Sequence, residues 1–267
     1  MDTPGPGIYH DVPFTDYLAW DAMDKTSLAE FAENPGRYLW KKKNHIVKQT
    51  ASLNLGTAID TLLFDGEDAF NERFAVKPMG HKGSTREGKE WLADHALKRH
   101  LKFEEYERVK KAVSAVKDYP PASVYLEGCQ AQISILWIDP DTELLMKARP
   151  DIVPADPSVL ADLKSAESAA KDDFARAIRR FKYHWQAAIY TDGWNIVSGN
   201  DPLEKFVFVV TEPEPPFVTE VYKLDDDDLE TGRLEYKEAL KFYAECRKAD
   251  NFPLSSGIET EISISTF

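Results

Sequence analysis

Cysteine is scarce in this chain. Only Cys129 and Cys246 occur among 267 residues, so one chain can build neither a disulfide framework nor a four-cysteine metal cluster. Positive charge is also short: 33 Lys and Arg face 46 Asp and Glu, a formal net charge of −13. Since non-specific affinity for nucleic acid comes mostly from cations that neutralise phosphates, a uniformly basic surface is excluded, and any such contact must use a segregated patch. Long apolar runs are missing too. None approaches the ~20 residues that span a bilayer, and Met-Asp-Thr-Pro-Gly-Pro at the start lacks the basic and apolar parts of a secretory signal. A cytoplasmic protein with no membrane partner is the expectation. No internal repeat is visible, and the only low-complexity segment is the run Asp225 to Asp228.

With 43% hydrophobic and 12% aromatic residues, the chain can bury a substantial core. Helical patterns fall near 26–43, 52–65, 88–100, 103–118, 172–197 and 226–248. Strand patterns fall near 131–138, 143–152, 159–164, 205–211 and 218–224, and a Gly-rich basic loop covers 79–88. This order predicts an α/β fold with a central mixed β-sheet flanked by helices. The expectation is one domain over 1–267, mainly helical over 1–120 and sheet-containing over 121–267. The six tryptophans read as core, and His184 as a hydrogen-bonded structural residue.

The most informative stretch runs from Lys147 to Lys164. Val159, Ala161 and Leu163 point one way on an extended chain, while Leu160, Asp162 and Lys164 point the other. This predicts an apolar face in the core and a carboxylate and ammonium side by side at an open face. Pro154, Asp156, Pro157 and Ser158 form a turn signal, which predicts a hairpin with Asp151 near the end of one arm and Asp162 on the next. Hard divalent cations such as magnesium take carboxylate and water oxygens beside a substrate phosphate, so Asp151 and Asp162 are candidate metal ligands. Lys164 is placed either to orient an attacking water or to stabilise developing negative charge. An ordinary surface ion pair is the competing reading, because Glu87-Gly88-Lys89 and Glu235-Tyr236-Lys237 share the acidic-x-Lys form. Those two lie in helical surroundings without an upstream aspartate.

The following helix adds Gln186 and Tyr190, four apart on one face, where they can hold the lysine or a DNA phosphate. Arg176, Arg179, Arg180 and Lys182 make its first half basic. Lys82 and Arg86 form a second basic cluster, in the loop after Met79. Both clusters read either as DNA contacts or as solvated surface.

Taken in order, Gln132-Ile-Ser-Ile-Leu-Trp137, Asp139-Pro-Asp-Thr142, Lys147-Ala-Arg-Pro-Asp151, Asp162-Leu-Lys164 and Tyr183-His-Trp-Gln186-x-x-x-Tyr190 resemble the nuclease domain of RecE-type exonuclease VIII. That group lies in the RecB-like branch of the PD-(D/E)XK superfamily. Ser27-Leu28-Ala29-Glu30-Phe31, read as a helix with Ser27 as N-cap and Glu30 at the third position, and Leu55-Gly56-Thr57-Ala58-Ile59-Asp60 extend the likeness toward the N-terminus. The resemblance implies a PD-(D/E)XK core and a Mg2+-dependent deoxyribonuclease, with Mn2+ as an alternative ion, acting 5′ to 3′ on linear double-stranded ends in recombination. It implies Asp151, Asp162 and the Leu163 position as the metal site, Asp60 as an additional ligand, and Lys164, Gln186 and Tyr190 as catalytic or supporting residues. A ring-like homo-oligomer and a single-strand annealing protein as partner also follow from it. The cysteine count excludes the iron–sulfur relatives of that branch. Asp60 stands where the family has a histidine, and Gln132 where relatives carry a glutamate. A nuclease with altered metal demand, an inactive nuclease-fold protein that binds DNA ends or another protein, and a structure-specific endonuclease therefore all stay open.

Overall fold

A computed structural model of the chain describes residues 2–44, 46, 51–80, 83–156, 158–199 and 202–255. Its first half runs β1 (Gly7–Tyr9), α1 (Phe14–Ala19), α2 (Lys25–Glu33), α3 (Pro35–Lys43), α4 (Ala51–Asp60) with a π-helical turn over Thr61–Asp65, α5 (Gly66–Arg73), β2 (Phe74–Lys77), α6 (Arg86–Asp94), β3 (Arg99–Lys102), α7 (Phe103–Asp118) and α8 (Pro120–Leu126). The second half runs β4 (Gln130–Ala131), β5 (Ser134–Ile138), β6 (Leu145–Ala148), β7 (Ile152–Val153), β8 (Val159–Ser165), α9 (Lys171–Phe181), α10 (Tyr183–Val197), β9 (Lys205–Thr211), β10 (Thr219–Lys223) and α11 (Asp226–Ala249).

The principal sheet has the order β10-β9-β8-β7-β4. Its β8–β9 pair is parallel, with Asp162 opposite Phe208, and the other pairs are antiparallel. A parallel pair needs a crossover, which α9 and α10 supply. An antiparallel sheet β1-β5-β6 and a parallel β2–β3 ribbon complete the strands.

The alternation along β8 sets two apolar layers. Leu160, with Phe206, Phe208 and Val210, packs in a cluster with Phe31 of α2, Ile189 of α10 and Leu240 of α11. Val159, Ala161 and Leu163 join Val207 and Val209 in a second cluster with Ile59 of α4 and Val109 and Val113 of α7. Each buried aliphatic side chain contributes about 1.5–3 kcal/mol. A one-residue slip would exchange these for Asp162 and Lys164, so the register is held. Both faces of β8 are therefore covered. The face carrying Asp162 and Lys164 is not open as predicted, because α10 lies over it and the two side chains are 2% and 15% exposed.

Several predicted elements are divided, each for a local reason. The strand over 131–138 breaks at Gln132, where φ is +53° and the chain passes from the principal sheet into β5. The strand over 143–152 breaks at Arg149 to Asp151, since Pro150 has no N–H for a ladder. The helix over 172–197 is two helices, because Lys182 adopts the left-handed conformation (φ 53°, ψ 46°) and caps α9. The helix over 26–43 divides at Asn34, before Pro35. Its N-cap is Asp24, not Ser27: the Ser27 backbone N–H donates to Asp24 Oδ1 at 2.8 Å. Arg86 opens helix α6 rather than lying in a loop, and the helix over 88–100 ends at Asp94, followed by β3. Lys82 and residues 256–267 lie outside the described residues. Among the described residues, no helix is long and apolar enough to cross a membrane.

Candidate active site

The site forms where β7 and β8 part. Their ladder consists of Ile152 opposite Ala161, and one residue before β7 the Asp151 carboxylate takes over the edge: Leu163 N–H donates to Asp151 Oδ2 at 3.1 Å. On an extended chain a residue's N–H and C=O face the same edge, so the Leu163 carbonyl points toward Asp151 as well. On the α10 side, Gln186 Nε2 donates to Asp162 Oδ1 at 2.6 Å. Asp162 Oδ2 forms an ion pair with the Lys164 ammonium and, apart from that pair, accepts no hydrogen bond. Asp60, the last residue of α4, is close enough to Asp151 to act on its protonation.

The electrostatics follow from three carboxyl groups, Asp60, Asp151 and Asp162, that share the Lys164 ammonium in a place removed from water. Burial, and then the neighbouring Asp162 and Asp60, push the Asp151 carboxyl well above the usual carboxylate range. Burial raises Asp60 to about 7, with Asp162 and Asp65 adding to the shift and Lys164 opposing it. For Lys164, burial works against the charge, but Asp162 beside it prevails and raises its pKa. A cation placed among these carboxyl groups would favour the ionised forms of Asp60 and Asp151 that burial opposes. Among the described residues, no three His, Cys, Asp or Glu side chains gather closely enough to hold a metal by themselves. Two aspartates and a main-chain oxygen nonetheless fit a hard divalent ion that keeps several waters, and the free lone pairs of Asp162 Oδ2 are available to it.

Two further side chains reach this place without having been singled out from sequence. Lys25, the first residue of α2, donates from Nζ to the Phe181 carbonyl at 2.5 Å. Its ammonium and that of Lys164 lie over the same Tyr183 ring, at 5.4 and 4.7 Å from the centroid. Burial, and then repulsion from Lys164, bring Lys25 down to about 8. Tyr183 stood inside the motif that carried the resemblance. Lys25 carried no local signal beyond its position near a helix start.

The other predicted residues are dispersed. Tyr190 packs on Phe206, ring centroids 6.1 Å apart, and burial raises its hydroxyl well above the ordinary range, with Tyr17, Asp162 and Asp151 contributing. Gln132 is committed elsewhere: its Oε1 accepts from Arg149 Nη2 at 3.2 Å, while Arg149 Nη1 also donates to Ser134 Oγ at 2.8 Å and to the Val12 carbonyl at 2.9 Å. Lys147 is buried and donates to the carbonyls of Tyr17 and Trp20 at 2.9 and 2.8 Å, tying α1 down. Asp139 closes the β5–β6 turn, accepting from Thr142. Arg176, Arg179 and Arg180 are exposed on α9; Arg176 is paired with Asp173. Lys182 sits 4.0 Å above the Trp185 ring. Lys182 lies close enough to Lys25 to repel it, and Arg179 and Arg180 precede it in the last turn of α9. Arg86, paired with Glu90 at 2.8 Å on α6, has no contact with this group.

Over residues 25–262 the chain matches the PDDEXK-like domain of unknown function (DUF3799). The letters of that name are matched in sequence by Pro150-Asp151 and by Asp162-Leu163-Lys164. No curated protein sequence matches the chain. Among solved structures it is similar to a protein of Eubacterium rectale named "Putative exonuclease", at 14% identity and a TM-score of 0.65, covering 96% of this chain and 97% of that one. A phage related exonuclease from Haemophilus somnus 129PT aligns at 11% identity and a TM-score of 0.38, over 89% of this chain and 100% of that one. The chain belongs to the PDDEXK-like DUF3799 family, and its helix-flanked mixed sheet has the fold of the PD-(D/E)XK nucleases.

Proposed function

We propose that this chain is a metal-dependent DNA exonuclease of the RecE-type group, acting on linear double-stranded ends. The observation that carries the reading is the arrangement at Asp162: one carboxylate oxygen held by Gln186, the other beside Lys164 with lone pairs to spare, and Asp151 against the same strand edge. A bound divalent ion, Mg2+ or Mn2+, would supply a water of lowered pKa and neutralise charge on the phosphate. Asp151, Asp162 and the Leu163 carbonyl would hold it, with Asp60 as an additional ligand. Gln186 fixes the Asp162 carboxylate in orientation, which is how outer partners of metal ligands commonly act. Lys164, whose charge is kept by Asp162, would orient the attacking water or stabilise developing negative charge. Lys25 would offer a second ammonium to the phosphate, and Arg179, Arg180 and Lys182 would take the adjoining backbone. Tyr190 supports the wall behind Asp162.

The 5′-to-3′ direction, a ring-like homo-oligomer, a role in recombination and a single-strand annealing partner belong to the same proposal and rest on the resemblance to RecE-type nucleases. The name of the Eubacterium rectale structure agrees with exonuclease action. The test is incubation with linear and with closed circular duplex, each with Mg2+ or EDTA. Metal-dependent loss of the linear form alone is expected. Nicking of circles would instead assign an endonuclease, and intact DNA in every arm a binding protein.

A further inference from the structure

We propose that the cavity between α4, α6 and the β2–β3 ribbon binds one deoxynucleotide unit, with its base on Trp91 and its phosphate between Lys77 and Lys102. The proposal rests on the reading of the chain as a DNA-cleaving enzyme and adds a second DNA site to it. The cavity measures about 320 Å³ and is lined by Asn54, Lys77, Trp91, Leu92, His100 and Lys102 among others, a size suited to a small organic ligand.

The aromatic part is built and held. Trp91 stacks on His95 at a centroid distance of 4.6 Å and leans on His100 at 4.9 Å. His95 Nδ1 donates to the Trp91 carbonyl, and His100 Nε2 to the His95 carbonyl, both at 2.8 Å. Carbonyls only accept, so these bonds fix the tautomers and with them the ring positions. A fixed indole suits a base, because stacking accepts every base by its π-face.

The charges call for an anion. Lys77 and Lys102 are direct partners across the parallel ribbon and both line the cavity, and like charges facing each other across a strand pair are unfavourable. Lys102 has Glu105 at 3.9 Å, a carboxylate that also lines the cavity, while Lys77 has no acidic partner among the described residues, so one lysine charge is left unbalanced there. A phosphate placed between the two lysines would balance the charge that Glu105 leaves uncompensated.

The placement relates the cavity to the candidate active site. Helix α4 carries Asn54 at the cavity and Asp60 at the site, about 9 Å apart along the axis. At a B-form rise of about 3.4 Å per nucleotide, that is two to three nucleotides. The same helix packs on the site strand: a methyl group added at Gly56 would lie 3.8 Å from Cβ of Ser165, the neighbour of Lys164. The cavity therefore suits a nucleotide of the strand being processed, or the mononucleotide just released.

The experiment measures binding of a fluorescein-labelled eight-nucleotide oligothymidylate to the full chain in EDTA, with thymidine 5′-monophosphate as competitor. Trp91→Ala and Lys77→Glu should each weaken binding at least about fivefold, the lower end of the stacking contribution of one base, while Trp91→Phe retains most of the affinity. Displacement by the monophosphate assigns the cavity to released product, and its failure to displace assigns it to a strand nucleotide. Binding by Trp91→Ala and Lys77→Glu within twofold of the unsubstituted protein overturns the proposal, as does an unsubstituted protein that does not bind the oligonucleotide. Thermal melts accompany each variant, and Lys77→Glu carries the test should Trp91→Ala not fold. Cleavage of linear duplex with Mg2+ is measured in parallel. Cleavage with unaltered oligonucleotide binding removes the cavity alone, whereas absence of cleavage by the unsubstituted protein removes the nuclease reading.

Discussion

Asp60, Asp151 and Asp162 lie close enough to one another and to Lys164 to act on each other's protonation, and the consequence for stability has a definite sign. Asp60 titrates near 7 in the fold against an ordinary 3.8, and Asp151 is raised as well. Between those values the native state holds more protons than the unfolded chain, so stability falls as pH rises through the window. In EDTA, the melting temperature is expected to drop between pH 5 and pH 7.5 by more in the unsubstituted protein than in Asp60→Asn, and Mg2+ should restore it at pH 7.5. Equal drops in the two proteins would show that Asp60 is not held in this way. Asp151, Asp162 and Lys164 were legible in the sequence because a period-two alternation and a turn signal are local. Lys25 was not, because the contact between α2 and the Phe181 carbonyl is made by the tertiary fold and leaves no spacing to read.

At the scale of elements, α10 holds Gln186 over β8, and α11 holds α10. A Cβ at Gly232 of α11 would collide with the His184 carbonyl, a backbone group that cannot swing aside. Gly232→Ala is therefore expected to cost about 1–3 kcal/mol of stability, the usual range for overpacking, measured by urea unfolding. Because His184 lies two residues before Gln186, cleavage should fall as well; unchanged stability would contradict the packing described. The strands 205–211 and 218–224 and the helices 103–118 and 226–248 were readable from apolar periodicity, and the structure adds Asp225 as the N-cap of the last helix, its side chain accepting from Asp228 N–H. The breaks at Gln132 and Lys182 were not. Each is a single residue with positive φ, and a non-glycine residue takes that conformation only where the surrounding fold requires it. The β2–β3 ribbon was missed because Phe74–Lys77 and Arg99–Lys102 are short and carry charge at half or more of their β3 positions, leaving no alternation to detect.

The whole molecule carries a net charge of −13, yet the proposed phosphate contacts are drawn from two segments: Lys25 at the start of α2, and Arg179, Arg180 and Lys182 at the end of α9. If these four cations each take a phosphate as proposed, the logarithm of duplex affinity should fall with the logarithm of salt at a slope of about −4. Arg179→Ala with Arg180→Ala should reduce that slope to about −2, and a slope unaffected by the double substitution would place the DNA elsewhere. The most direct measurement is the initial rate of Mg2+-dependent hydrolysis of an end-labelled linear duplex by the unsubstituted protein and by Lys164→Ala, with melting temperature recorded for both. Loss of the ammonium should slow cleavage at least about 100-fold while the variant remains folded. Cleavage by folded Lys164→Ala at the unsubstituted rate would contradict the assignment of Asp151, Asp162 and Lys164 as the hydrolytic centre.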